Sequence, residues 1–345
     1  LSTETAILAL KNTVQYYTDR KTPVYACFLD LSKAFDLVSY DVLWRKLGDR
    51  NVPNELLRLL QYWYANQTNN VKWSNKLSNT YRLECGVRQG GLTSPRLFNA
   101  YINDLIDELS SMRVGCSVGG VNINSISYAD DMVLLGPTPG SIASMLKVCE
   151  SYAAKHGLVY NAKKCEYMIF KAAGKCPDQI PIFTMNGMNI KRTNSFRYLG
   201  HILTDDLKDN ADVERERRAL AVRGNMLARR FHRCTDQVKI TLFKAYCQGL
   251  YTGGLWISCT KRSLDALRVQ YNNIFRMMLG LPRFCSASEM FAENRTDDFY
   301  ALIRKKTASI ITRIRASNNR ILKTVAENLY SPIFRHFVKL VVRIA

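Results

Sequence analysis

The chain has 345 residues, 47 % apolar and 23 % charged, an ordinary globular composition that excludes a disordered or fibrous protein. Its 49 Lys and Arg against 29 Asp and Glu leave +20, placed unevenly: residues 1–190 hold 20 basic and 16 acidic side chains, residues 191–345 hold 29 and 13. That imbalance points to a polyanionic partner, nucleic acid or an acidic membrane, with a solvated basic surface as the plain alternative, and the length suggests two packed units.

The recurrence of Ala6, Leu10, Val14 and Tyr17 predicts a helix over 3–18, broken by Lys21, Thr22 and Pro23. Val24 to Leu29 is a continuous apolar run of strand length, the pattern of a strand buried on both faces. Ser39 is placed to cap a short helix ending before Gly48, and Asn54 to cap another over 55–64. Residues 71–87 alternate around Ser78 and Asn79, which predicts a hairpin. Pro95 precedes a helix through Leu109, and 123–135 reads as two short strands about a tight turn at Ala129, Asp130 and Asp131. A helix over 141–156 closes at Gly157. Strands are expected at Val159 and over 167–170, and Asn186-Gly187 marks a hairpin. From about Asp209 onward the pattern is helical and basic. The fold class is therefore α+β over 1–204, with locally paired strands, followed by an all-α region over 205–345.

The ten cysteines form no Cys-x-x-Cys pair and the four histidines no zinc-like spacing. Several sit in apolar runs, as expected of buried, reduced thiols in an intracellular protein. No run approaches the roughly 20 apolar residues of a membrane span, so no membrane partner is expected. No targeting signal stands out, which leaves a nuclear or cytoplasmic setting open. The opening on Leu1, directly in helix-like sequence, fits a piece of something longer.

Asp30 ends the buried run, and Asp130 and Asp131 occupy the turn between two short strands. Neighbours in a straight strand face opposite sides, but a tight turn can aim both at one place. Alone, an Asp-Asp turn is more often a polar hairpin tip. If Asp30's strand lies beside that hairpin, three carboxylates converge and repel unless cations neutralise them. Oxygen ligands with open positions suit Mg²⁺, and two such ions about 3.5–4 Å apart form a clamp for phosphoryl transfer.

These residues carry a resemblance. Phe28-Leu-Asp-Leu-Ser-Lys-Ala-Phe-Asp36 resembles motif A of reverse transcriptases, Arg88-Gln-Gly-Gly-Leu-Thr-Ser-Pro-Arg-Leu-Phe-Asn99 their motif B, and Tyr128-Ala-Asp-Asp131 their motif C. Gly157-Leu-Val-Tyr-Asn-Ala-Lys-Lys-Cys-Glu166 resembles motif D, and Arg197-Tyr-Leu-Gly200 the primer grip. Order and spacing are most similar to the enzymes of non-LTR (LINE-type) retrotransposons.

The resemblance implies a right-hand polymerase palm, an antiparallel sheet with helices on one face and partial fingers, over 1–204, then a basic thumb-like region. It implies an RNA-directed DNA polymerase that extends a primer 3′-hydroxyl with deoxynucleoside triphosphates, holding an RNA template, a DNA primer and their hybrid. Asp30, Asp130, Asp131 and the Leu31 carbonyl would hold two Mg²⁺ ions, with Mn²⁺ a possible substitute. Lys164 would protonate the leaving pyrophosphate, with Lys163 an adjacent competitor. Phe35 would block a 2′-hydroxyl, arguing against an RNA-templated RNA polymerase; its alternative is a core aromatic. Gln89 and Gly90 would pack on the incoming nucleotide. Arg197, Tyr198 and Gly200 would hold the primer end, with Tyr198 and Leu199 equally plausible as sheet core. Arg215, Arg218, Arg229 and Arg230 would track the duplex backbone or be solvated helix residues. The family's upstream fingers strands and endonuclease are expected to be missing, so the second functional reading is a catalytically incomplete, retrotransposon-derived nucleic-acid-binding protein. Protein partners are not indicated.

Overall fold

A computed structural model describes residues 2–327 and 331–342; the end of the expected helical stretch lies outside the described residues. Helix α1 (Thr3–Thr18) starts in a reciprocal cap, the Thr5 N–H donating to Ser2 Oγ and the Ser2 N–H to Thr5 Oγ1. Strand β1 (Val24–Leu29) is buried at all six positions. Helix α2 (Tyr40–Asp49) runs through Gly48 rather than stopping before it. The stop is made by Asn51, at φ +57, which lets the N–H groups of Asn51 and Val52 return to the carbonyls of Gly48 and Leu47. Helix α3 (Asn54–Ala65) is preceded by Pro53 at the cap position expected of Asn54.

Residues 68–82 form a hairpin, but its tip is Ser74-Asn75 rather than Ser78-Asn79. A two-residue turn that matches strand twist needs left-handed residues, and Ser74 and Asn75 take φ +43 and +64. Ser78 instead accepts the Val71 N–H on its hydroxyl. Helix α4 (Ser94–Ser111) follows, then β2 (Ser125–Tyr128) and β3 (Asp131–Gly136). Helix α5 (Pro139–Lys155) begins earlier than 141 because Thr138 caps it, and Gly157 at φ +66 ends it as expected. Val159 is in no strand; the contact there is a single bridge between Leu31 and Tyr160. After β4 (Glu166–Phe170) come the Asn186-Gly187 hairpin, β5 (Lys191–Arg192), and the pair β6 (Ser195–Tyr198) and β7 (His201–Thr204).

The remainder is helical: α6 (Asn210–Arg230), α7 (Asp236–Cys247), α8 (Lys261–Leu279), α9 (Ala287–Glu293), α10 (Phe299–Arg315), α11 (Arg320–Glu327) and α12 (Pro332–Val342). Mixed helix and strand followed by helix alone is the α+β architecture the sequence predicts.

The central sheet has the order β5-β4-β1-β3-β2, antiparallel except for the β4–β5 pair. Alternation along β1 divides the core. Tyr25, Cys27 and Leu29 pack with Leu105 of α4 and Met145 of α5 on one face. Val24, Ala26 and Phe28 pack with Leu10 of α1, Tyr198 of β6 and Ile310 of α10 on the other. Helices therefore cover both faces, not one: a strand apolar at every position needs a cover on each side. Helix α10 joins two cores, since its Phe299, Leu302 and Ile303 belong to the cluster between α6, α7 and α8, while Ile310, Ile311 and Ile314 belong to the sheet. The change from mixed to helical structure falls between β7 and α6, and the sheet's rear core continues across it.

Candidate active site

Register places the carboxylates. Leu29 of β1 lies opposite Met132 of β3, so Asp30, the next residue after β1, and Asp131, the first of β3, come to the same end of two adjacent strands. Tyr128 pairs with Asp131, leaving Ala129 and Asp130 as the two turn residues, with Ala129 held at φ +54. A non-glycine residue there carries local strain, which the flanking strand pairs enforce. The three carboxylates sense one another: burial pushes the Asp131 carboxyl up, and the charges of Asp130 and Asp30 push it further.

The segment after α5 braces Asp30. Asn161 N–H donates to the Asp30 carbonyl at 2.8 Å, the Asp30 N–H points at Cys165 Sγ at 3.4 Å, and Lys164 Nζ stands 3.8 Å from Asp30 Oδ2. No ion pair places Lys163 at the site among the described residues, so geometry separates the two lysines. In the Leu31–Tyr160 bridge the hydrogen bonds are made by the flanking residues, Ser32 N–H to Val159 O and Asn161 N–H to Asp30 O. Leu31's own carbonyl therefore points to the other edge, the side of β3 and Asp131. Three carboxylates and one main-chain carbonyl are hard oxygen donors and fit a cation of the Mg²⁺ type. Among the described residues no three His, Cys, Asp or Glu side chains already enclose an ion-sized gap.

Phe35 is half-buried and stacks on Phe98 of α4, ring centroids 4.9 Å apart, which joins the residues after β1 to the start of α4. Gln89 and Gly90 are exposed beside it. Gly90 is at φ +81, and a Cβ there would meet nothing within 4 Å, so its backbone conformation rather than close packing within the chain calls for glycine. The close approach is at Gly86, where a Cβ would lie 2.8 Å from the Asp36 carbonyl oxygen.

Arg197 is exposed, but Tyr198 is 2 % exposed and packs on Phe28, as Phe196 does at a centroid distance of 4.1 Å. Tyr198 is thus core, because alternate residues of β6 face the sheet; its hydroxyl is pushed up by burial and by the charge of Asp131. Leu199 and Gly200 make the turn at φ +45 and +82. Tyr251 clamps it, donating its hydroxyl to the Leu199 carbonyl at 2.8 Å and standing 2.9 Å from where a Gly200 Cβ would be.

The arginines of α6 divide. Arg215 binds Asp212 at 2.7 Å and Glu216 at 3.1 Å within a buried network, so it is not available to a phosphate backbone. Arg218 shares Glu214 with Arg217. Arg229 and Arg230 are exposed and form no ion pair among the described residues. The network itself had no signal in sequence order: Asp212 accepts from the Ile202 N–H, Arg215, Thr252 and Trp256, and stands 3.1 Å from His201 Nδ1. Lys11 and His201 meet Asp209 at 2.5 and 3.4 Å. Burial alone would lower the His201 pKa, but its bonds to Asp209 and Asp212 raise it overall.

The sequence model described as reverse transcriptase (RNA-dependent DNA polymerase) matches residues 3–203, more than half of the chain. The chain belongs to the reverse transcriptase family. Among curated relatives, the chain is 28 % identical over 178 residues to the Pol polyprotein of the type-1 retrotransposable element R2 of Popillia japonica, covering 50 % of the chain and 29 % of that protein. It is 23 % identical over 329 residues to the RNA-directed DNA polymerase from the mobile element jockey of Drosophila funebris, covering 91 % and 35 %. The R2DM polyprotein of Drosophila melanogaster is 29 % identical over 182 residues, covering 51 % and 17 %. The chain thus spans about a third or less of the length of these relatives. Among solved structures, apo telomerase from Candida tropicalis aligns over 100 % of this chain and 55 % of its own, at 13 % identity and a TM-score of 0.47.

Proposed function

We propose that this chain is the palm and thumb portion of an RNA-directed DNA polymerase of a non-LTR retrotransposon, adding deoxynucleotides to a primer 3′-hydroxyl on an RNA template. The observation that supports this reading is the β1–β3 pairing, which brings Asp30 and Asp131 to one end of adjacent strands with Asp130 in the adjoining turn, close enough that the charges of Asp130 and Asp30 push the Asp131 carboxyl up. Asp30, Asp130, Asp131 and the Leu31 carbonyl would hold two divalent ions, with substrate phosphates and water completing the shell. Bound there, the ions supply positive charge that favours the deprotonated 3′-hydroxyl and the departing pyrophosphate. Lys164 holds a proton within reach of Asp30's side of the site and gives it to the pyrophosphate oxygen as the P–O bond breaks. Phe35, fixed by its stack on Phe98, presents a bulky edge that excludes a ribose 2′-hydroxyl. The exposed Gln89-Gly90 turn leaves open space where a nucleotide can approach the backbone. Exposed Arg197, Arg229 and Arg230 contribute salt-sensitive phosphate contacts to the hybrid. The cysteines, all unpaired among the described residues, support an intracellular setting.

Primer extension on an RNA template with Mg²⁺ tests the reading. Deoxynucleotide incorporation is expected, lost in Asp130→Asn with hybrid binding kept. Binding without incorporation in the parent chain would leave a nucleic-acid-binding remnant instead, and extension by Asp130→Asn at the parent rate would remove the metal-site assignment.

A further inference from the structure

Nine of the 22 large apolar side chains that are exposed among the described residues fall between Leu56 and Leu92. They lie on α3, on the hairpin over 68–82 and in the loop before α4, a concentration along the chain rather than an even scatter. The hairpin over 68–82 holds four of the nine, among them Trp73 at 80 % and Leu77 at 68 % exposed. This exposure is not looseness. The Ser74-Asn75 turn has the two left-handed residues a tight hairpin requires, and Asn70 Nδ2 ties the arms together through the Ser78 carbonyl and the Thr80 hydroxyl at 2.9 and 3.0 Å. Cross-strand partners share a face: Trp73 lies opposite Lys76, and Lys72 opposite Leu77. Each face of the tip therefore offers one flat or apolar side chain beside one ammonium group. Lys72, Lys76 and Arg82 form no ion pair among the described residues, so their charge is uncommitted.

We propose that this hairpin binds single-stranded nucleic acid, as a platform for the unpaired template ahead of the active site; the template assignment rests on the polymerase reading above. Lysine is depleted in the cores of protein interfaces, so aromatic and ammonium side chains set face to face favour a nucleic acid over a protein partner. Bases stack on the aromatic ring and the backbone runs past the cations, a mode indifferent to sequence. The base of the hairpin joins the catalytic side directly: Arg88 donates to Asn69 Oδ1 at 3.3 Å next to Gln89, and the Val87 N–H donates to the Phe35 carbonyl at 2.7 Å. A strand lying on the hairpin therefore leads towards the nucleotide position.

The test uses the 345-residue chain and two labelled RNA–DNA hybrids, one blunt and one with a single-stranded RNA extension of about ten nucleotides, within the usual footprint of such surfaces. By fluorescence anisotropy the extension tightens binding to the parent. Trp73→Ala weakens binding of the extended hybrid roughly 5- to 150-fold, the factor equivalent to about 1–3 kcal/mol per stacked base, and leaves the blunt hybrid unchanged. Trp73→Phe restores most of the loss, and Lys76→Gln reduces the salt dependence by about one phosphate contact. Equal affinity of the parent for both hybrids, or parent-like binding of the extension by Trp73→Ala, overturns the proposal. So does a Trp73→Ala variant whose oligomeric state changes while RNA binding does not, since the face would then be a protein contact. Absent incorporation with Trp73-dependent binding of the extension would remove the polymerase reading and leave the hairpin site standing.

Discussion

Asp212→Asn changes one charge and almost no volume, and the structure sets its cost. In the parent, Oδ1 accepts the Ile202 N–H at 3.1 Å and Arg215 Nε at 2.7 Å, while Oδ2 accepts Thr252 Oγ1 at 2.9 Å and Trp256 Nε1 at 2.8 Å. Turned to the Oδ1 position the asparagine NH₂ meets the Ile202 N–H and Arg215 Nε; turned to the Oδ2 position it meets the Trp256 Nε1–H, while the Thr252 hydroxyl can turn its proton to the Tyr251 carbonyl at 2.7 Å. Either way Arg215 loses one of its two acidic partners. Breaking a buried, hydrogen-bonded charge site costs about 3–5 kcal/mol. At about 2.1 cal/mol/K of unfolding entropy per residue, a chain of this length loses roughly 4–7 °C of melting temperature. The pH profile carries a second signature. Asp212 is held well below the usual carboxylate range: burial opposes this, but His201, Arg215 and Trp256 outweigh it. Its stabilisation is therefore present above its unfolded pKa, about 3.9, and fades as pH falls towards the depressed folded value. His201 is shifted up, so its contribution is complete below about 6.5 and fades as pH rises through the folded value. Parent stability should peak between these limits, and Asp212→Asn should flatten both limbs. Circular-dichroism melts across pH measure this. A variant melting within 1 °C of the parent, with the same pH profile, would refute the network as a stabilising element.

Gly224→Ala adds helix propensity worth about 1 kcal/mol, but its Cβ would meet three Ile274 side-chain atoms at 2.6–2.7 Å where α6 packs on α8. Overpacking costs about 1–3 kcal/mol, so urea melts should show net loss, with Ile274→Ala added at less than the sum of the single effects. Lys164→Gln should lower single-turnover incorporation about 100-fold or more while Lys163→Gln stays near the parent, since Lys164 is the one paired with Asp30; equal effects would dissolve that distinction. Phe35→Ala should cost about 2 kcal/mol, half the usual value for a ring only half-buried, and raise the ribonucleotide-to-deoxynucleotide ratio in kcat/KM. Lost stability with an unmoved ratio would make Phe35 a core aromatic only.

What was legible in the sequence was local. Val24 to Leu29 carries its own burial in its composition, and Asn186-Gly187 and Gly157 carry their turns, so periodicity and turn chemistry found them. The hairpin at 68–82 misled because Ser78 and Asn79 are good turn residues, whereas the register was decided by Ser74 and Asn75 accepting left-handed φ. The motif aspartates were legible as residues, but their convergence was not. It depends on β1 pairing with β3 across about a hundred residues, a non-local choice that the face-by-face burial of the whole sheet makes. The brace on Asp30 from Cys165 and Asn161, and the clamp of Tyr251 on the β6–β7 turn, left no local trace for the same reason.

The basic second half also reads differently once its partners are known. Arg215, Arg217, Arg218 and Arg223 look in sequence like uncommitted positive charge, yet each has an acidic partner from α6 itself, among Asp212, Glu214 and Glu216. Their charge is spent on holding the helix and the buried network, and a paired arginine gives a phosphate backbone little net attraction. The uncommitted charge of α6 lies at its C-terminal end, at Arg229 and Arg230, where it also complements the helix dipole. A duplex held by the helical region should therefore be felt by charge reversal at Arg229 or Arg230, through a reduced salt slope, and hardly at all at Arg215, whose replacement should instead lower stability. A reduced salt slope in Arg215→Gln with an unchanged melting temperature would place the phosphate track at the opposite end of α6.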